Sequence, residues 1–386
     1  MTARLYHEDS FLRAFGAVVV AHGEVGGRAS VVLDRTAFYP EAGGQMADGG
    51  SLGGRAVLDV QVGADGRVHH VVDGALPAVG DEVAGTIDWE RRRLHMALHT
   101  GQHMLSRGLL EAGRGATVSA RLGETCTIDV DRELSEREVA EAEALVNAVV
   151  DDDVVVRAWF PEAGELAALP LRREPKVESD VRVIAIGDFD LSPCGGTHCA
   201  RTAQVGQVRV LGAARHKGGT RVTFAAGRRA RDVLAAQHAV LAGLARDFTC
   251  GPEGVPVAVE KLRRELAGSE EQRRAMQRRW AEALAGALLA GDGGAVVAAV
   301  PDADVEVLRA LASHITAAGR DALLAAPSAG GTAAVLARAS GSTMDCGAVL
   351  RAVAQACGGR GGGRADHAEG RLPPGVAWAE LVAAHT

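Results

Sequence analysis

Through the first 88 residues, apolar positions come in short runs broken by glycine: Gly16–Val20, Ser30–Leu33, Arg55–Val60 and Val68–Val72. Short strands with glycine punctuation predict a small β-barrel or sandwich rather than alternating β and α units. The pattern changes at Trp89. Residues 91–110 contain no proline and place Leu94, Leu98, Leu105 and Leu109 near helical spacing, which predicts a helix. A strand is expected over Cys126–Val130. A second amphipathic helix follows at 133–150, where Ser135 can cap and Glu136 and Glu138 complement the positive end. Strands at 153–160, 181–186, 207–211 and 221–225 complete an α+β block. From 228 to 289 helix predominates, broken at Cys250-Gly251-Pro252. The part from 257 to 289, rich in Glu, Arg, Gln, Ala and Leu, reads as a solvent-washed arm able to pair with another helix. Alternation then returns: strand Ala295–Val300, helix Val305–Ala318, strands Ala322–Ala325 and Thr332–Ala337, helix Ala348–Ala356. The pattern predicts a multidomain α+β protein with boundaries near 88, 230 and 290.

Composition narrows the class. Of the 386 residues 47% are hydrophobic and 24% charged, an ordinary globular balance, while aromatics at 3% leave the cores to Leu, Val, Ala and Ile. No apolar run reaches the ~18 residues of a membrane span. The N-terminus lacks a signal peptide's apolar stretch, so a cytoplasmic location is expected. Six scattered cysteines do not form a disulfide framework. A net charge of −7 speaks against a generally basic nucleic-acid binder, so any RNA contact must be local. Between residues 215 and 232, Arg215, Lys217, Arg221, Arg228, Arg229 and Arg231 face only Asp232, and Arg91-Arg92-Arg93 opens the predicted helix. Such clusters suit phosphate, although charge runs are commonly just solvated surface.

The sharpest chemistry is His99-Thr100-Gly101-Gln102-His103. Histidines four apart share a helix face and can reach one ion. A metallopeptidase would carry glutamate at position 100 as general base; threonine stands there instead. His95 lies on the same stripe, and spacing alone leaves open which two of 95, 99 and 103 bind. A second set, Cys194-Gly195-Gly196-Thr197-His198, follows Pro193, and its glycines let the backbone turn so that Cys194 and His198 converge. Thiolate with imidazole suits zinc, making His99, His103, Cys194 and His198 a candidate Cys-His₃ site.

The strings around these ligands resemble a known family. Arg182-Val183-Ile184 leading through Gly187-Asp188-Phe189-Asp190 to Cys194–His198 resembles the second zinc motif of alanyl-tRNA synthetase editing domains, and His99–His103 the first. Leu33–Gln45 is similar to the glycine-rich segment ahead of that domain. Gly358–Ala368 resembles the glycine-rich signature of the synthetase's C-terminal globular domain, although by composition it could equally be a linker or a phosphate-cradling loop. The chain starts at the glycine-rich segment, leaving no room for a class II aminoacylation domain, so the resemblance is to the long free-standing AlaX type of editing protein.

The resemblance implies four parts: a glycine-rich small β-barrel at 1–88, an α+β zinc editing domain at 89–230, a helical arm at 231–290 and a C-terminal α/β globular domain at 291–386. It implies a zinc-dependent deacylase acting on alanine tRNA mischarged with serine or glycine, without aminoacylation activity. Thr36 is expected to read the serine hydroxyl, Gln45 to line the same pocket, and Gly43 and Gly44 to let backbone approach the terminal adenosine. Ala120 stands where some synthetase editing domains carry glutamine, so contacts there do not carry over. Arg215, Lys217, Arg221, Arg228 and Arg229 are the expected tRNA contacts, with Arg360 and Arg364 meeting the outer corner of the tRNA. The arm or the C-terminal domain offers a surface through which two chains can pair. Two tensions accompany this. Four protein ligands are the pattern of structural zinc, which makes a tRNA-binding protein without hydrolytic activity the rival reading. Threonyl-tRNA synthetases also carry a related zinc editing domain, against which the C-terminal signature argues.

Overall fold

The computed structural model describes residues 2–175, 177, 179–291 and 293–386. The chain divides into two compact units, Met1–Ala242 and Gly243–Thr386.

In the first unit, six strands pair in a closed antiparallel ring: Ala14–Val25, Arg28–Leu33, Val68–Val72, Arg55–Val62, Gly50–Leu52 and Glu82–Ile87, the last pairing back to the first. Val19, Val31, Leu33, Phe38, Leu52 and Val60 fill its interior. Closure removes the exposed strand edges that a six-stranded open sheet would carry.

The ring leads directly into the helix Trp89–Gly113, capped by the Asp88 carboxylate accepting from the Arg91 amide and ended by Arg114 in the left-handed region. A four-stranded antiparallel sheet runs in the order Val208–His216, Gly219–Ala226, Cys126–Val130, Thr117–Leu122. The helix Glu136–Asp151 packs with Trp89–Gly113 against it, through Leu98, Leu105, Leu109, Ile128, Val146 and Phe224. Ser135 caps the second helix in a capping box with Glu138, as its sequence suggests. At Gly108 a Cβ would lie 2.9 Å from the Ala142 carbonyl oxygen, which fixes glycine where the two helices approach. A three-stranded sheet of Val156–Trp159, Val183–Ile186 and Asp190–Pro193 ends at the Cys-Gly-Gly-Thr-His loop.

A buried ion pair ties these parts together. Arg92 and Asp48 are both fully buried and joined through two guanidinium nitrogens. Arg92 also donates to the carbonyls of Ser10 (2.8 Å) and Ala37 (2.5 Å), while Asp48 accepts from the Tyr39 amide. One side chain thus spans the N-terminal segment, the strand ring and the histidine-bearing helix.

The helix Arg228–Asp247 follows, and the break near 250 falls where the sequence places it. In the second unit the helix Val255–Leu289 precedes a five-stranded sheet of order Val296–Ala299, Ala322–Ser328, Gly331–Ala337, His367–Leu372, Arg360–Gly363. Alternation along these strands divides two cores. Leu324 and Val335 face the helix Val305–Ala317 and the end of Val255–Leu289; Leu323 and Leu336 face the helices Cys346–Cys357 and Trp378–Ala383. The glycine-rich tract, open by composition to a linker or loop reading, is here a β-hairpin. Its glycines are needed because a Cβ at Gly361 would meet Leu350 Cγ at 2.8 Å and one at Gly363 the His367 carbonyl at 2.3 Å.

Among the described residues no helix is long and apolar enough to cross a membrane.

Candidate metal centre

His99 and His103 sit one turn apart on the long helix, and the loop after Asp190–Pro193 brings Cys194 and His198 to them. One ligand atom from each of the four lies within 4.8 Å of all the others. The Cys194 sulfur is 3.3 Å from His99 Nε2 and 3.4 Å from His198 Nε2. A tetrahedral ion with bonds of ~2.3 Å to sulfur and ~2.0–2.1 Å to nitrogen separates such ligands by about 3.5 Å. The spacing fits.

Each imidazole is fixed from behind. His99 Nδ1 lies 2.7 Å from Gln45 Oε1, His103 Nδ1 3.4 Å from Asp190 Oδ2, and His198 Nδ1 3.1 Å from Thr100 Oγ1. With the Nδ1 proton donated outward in each case, all three Nε2 lone pairs turn toward the cluster, the arrangement that metal-binding histidines require. The supports are themselves anchored. Gln45 Oε1 also accepts from the Thr197 amide and its Nε2 donates to Thr197 Oγ1. Asp190 is gripped by Arg172 at 2.6 Å and by the Ser192 hydroxyl at 2.9 Å. Thr100, where a peptidase would place its base, accepts from the Cys199 amide as well. His95 stands outside the cluster, with its Nδ1 buried and, among the described residues, without a hydrogen-bond partner.

The loop is pinned by a residue that sequence reasoning left without a role. Arg182, buried, donates to the carbonyls of Cys194 (3.2 Å) and Gly196 (2.8 Å). Gly196 lies so close to His99 that a Cβ would fall 2.1 Å from Cε1 and 2.4 Å from Nδ1. Only glycine admits the ring there.

Electrostatics follow from this crowding. Burial pushes the Cys194 thiol up, but the imidazoles of His99 and His103 outweigh it and hold the group well below its ordinary value. Burial drives His198 down to about 3. Burial opposes the charged form of His103 too, yet the Cys194 thiolate and Asp190 leave it raised. Asp190 is pulled down to about 2: burial would raise it, but the His103 hydrogen bond and the charge of Arg172 prevail. The site therefore favours a thiolate, which is the metal-binding form. His99, His103 and His198 are buried; Cys194 is intermediate as a residue, but it belongs to the buried cluster, and Gly195 beside it is exposed.

Three stretches of the chain match known family models, one of them covering Cys194 and His198. A family model described as the second additional domain of threonyl and alanyl tRNA synthetases matches residues 181–223. One for class II (A) tRNA synthetases matches residues 14–91, and the DHHA1 domain matches 292–384. The alanyl-tRNA editing protein AlaX-L of Pyrococcus horikoshii is 36% identical over 219 residues, 55% of this chain and 54% of that protein. Over that stretch the chain is similar to an AlaX-type editing protein. The alanine–tRNA ligases of Archaeoglobus fulgidus and Halobacterium salinarum are 33% and 34% identical over 96% of this chain, in each case 42% of the ligase. The chain thus spans about half the length of these relatives or less.

The other residues singled out in the sequence are distributed as follows. Thr36, fully buried, has its hydroxyl 2.8 Å from His70 Nε2 and accepts from the Phe38 amide. Gln45, expected to line a pocket, holds His99 through its Oε1. Gly43 and Gly44 form a tight turn at φ +59° and +88°. The close approach at Gly44 is to the Ala120 carbonyl, 2.5 Å from where a Cβ would stand, and open space surrounds Gly43. Arg221 pairs with Asp129 at 2.6 Å, Arg215 with Glu133, Arg228 with Glu90 at 3.2 Å, and Arg364 with Asp366 at 3.4 Å. Arg229 donates to the carbonyls of Gly123 and Glu124. Lys217 is exposed at a hairpin tip with φ +48°, and Arg360 is exposed in the C-terminal hairpin.

Asp190→Asn tests the outer supports. It keeps the shape but removes the charge behind His103, and metal affinity is expected to fall about 10–100-fold. Competition against a chelator of known affinity measures it; unchanged affinity would remove Asp190 from the site.

Proposed function

We propose that the chain is a zinc-dependent aminoacyl-ester hydrolase that clears serine, and also glycine, from mischarged alanine tRNA. The observation carrying this reading is the convergence of one thiolate and three imidazoles, each imidazole held by its Nδ1, inside segments shared with alanyl-tRNA editing proteins. Zinc held by these four residues would supply Lewis acidity, polarising an ester carbonyl or acidifying water.

The side chains favour an ester over a peptide. Every histidine in the cluster is committed through both nitrogens, so none is free to act as general base. The Asp190 carboxylate is saturated by His103, Arg172 and Ser192. Without a side-chain base, the easier ester is the fitting substrate.

On this reading the strand ring is the glycine-rich barrel, residues 89–230 the editing domain, 231–290 an arm and 291–386 a tRNA-docking domain. The arm or the docking domain would serve for dimerisation, and the protein would work in the cytoplasm. Lys217, Arg229 and Arg360 join the paired arginines 215, 221, 228 and 364 as tRNA contacts, the paired ones exchanging a carboxylate for a phosphate. Gly43 keeps its place beside the terminal adenosine. Thr36 reads the serine hydroxyl through the lone pair that Phe38 leaves unused.

The test is deacylation of Ser-, Gly- and Ala-charged alanine tRNA, with and without chelator. Serine should be lost first, alanine spared, and activity abolished by the chelator; equal ester lifetimes with and without protein would defeat the reading. Thr36→Val should reduce the preference for serine over alanine about tenfold, the worth of one hydrogen bond. An unchanged ratio would free Thr36 of that role.

A further inference from the structure

Two adjoining hollows lie on another face of the histidine-bearing helix. One, about 150 Å³, is lined by Glu90, Arg93, Arg228, Arg231, Gly206 and Gly227 among others, three guanidinium groups against one carboxylate. The other, about 190 Å³, is lined by Phe11, Arg13, Trp89 and Met96 among others. Arg93 and Gln204 line both.

The cations here differ from the rest of the surface. Arg93 and Arg231 are exposed and, among the described residues, have no carboxylate partner, unlike Arg215 and Arg221. Arg228 reaches exposed Glu90 at 3.2 Å. Gln204 spends its oxygen on the Ala200 amide, which leaves its NH₂ as a donor into the hollows. Next door, Trp89 packs against Phe11 with ring centroids 5.7 Å apart, and the Arg13 guanidinium lies 4.2 Å above the indole. Uncompensated guanidinium groups hold phosphate oxygens, and an indole flank with a cation beside it holds a base.

Resting on the reading above, we propose that this face holds one nucleotide of the tRNA, its phosphate among Arg93, Arg228 and Arg231 and its base against Trp89. Each hollow is smaller than the ~300–1,000 Å³ of sites that engulf a free small molecule. The shape suits a nucleotide presented by a longer strand.

The experiment measures binding of uncharged alanine tRNA to the full chain across a salt series. The double reversal Arg93→Glu, Arg231→Glu should weaken binding about tenfold near 0.1 M salt and lower the salt slope by about 1. Trp89→Leu should weaken binding by about tenfold with the slope unchanged, since stacking releases no counterions. The reversed side chains are exposed, so metal content equal to the parent protein controls for folding. Parental affinity and slope in the double reversal would overturn the proposal, as would saturation by free AMP with tRNA binding indifferent to these changes. Because the tRNA is uncharged, a chain that binds in this way but hydrolyses no ester would contradict the deacylase reading alone.

Discussion

His103→Ala is expected to abolish metal retention and to slow Ser-tRNA deacylation about a thousandfold or more, some 4 kcal/mol of barrier. His103 is buried, it meets the other three ligands through Nε2, and its Nδ1 is committed to Asp190. Removing it leaves three ligands and takes from Asp190 one of its partners, Arg172 and Ser192 remaining. Metal content and single-turnover deacylation, read on protein shown by circular dichroism to be folded, check the outcome together. Loss of metal with parental activity would mean that the ion is structural and the rival reading holds. Retention of metal would mean that the ligand set is wrong.

The second large effect concerns stability. Arg92→Met is expected to destabilise the N-terminal unit by about 3–5 kcal/mol, because it leaves Asp48 buried without its counter-charge. Surface pairs offer the contrast: breaking Arg215–Glu133 should cost about 0–1 kcal/mol. Urea unfolding of the two variants side by side measures the difference. An Arg92→Met midpoint equal to that of the parent would show that Asp48 finds other partners. Arg92 stands in the Arg91-Arg92-Arg93 run that sequence reading offers as phosphate-binding, and only its neighbours remain exposed.

The split fate of that run shows what a linear sequence carries. Motif resemblance named four residues that the fold brings together, His99, His103, Cys194 and His198. Helical spacing alone could not choose among His95, His99 and His103, which share one stripe. That choice comes from Gln45, 54 residues from His99, and Asp190, 87 residues from His103. Charge counting along the chain missed ion-pair partners for a similar reason. Arg221 faces no acid nearby in sequence, but Asp129 sits opposite it across an antiparallel register. The strand Arg360–Gly363 was hidden because glycine carries no hydrophobic pattern, although close packing on Leu350 is what requires it. Gln45 was named from resemblance as a pocket residue, and its grip on His99 became visible only in three dimensions. Arg182 and Asp190 lay within the quoted motif string but carried no spacing signal of their own.

The most direct test is X-ray absorption at the zinc edge on the purified chain. One sulfur at ~2.3 Å and three nitrogens at ~2.0–2.1 Å, with one zinc per chain, are predicted. A shell of oxygens alone, or fully active protein containing no metal, would contradict the account.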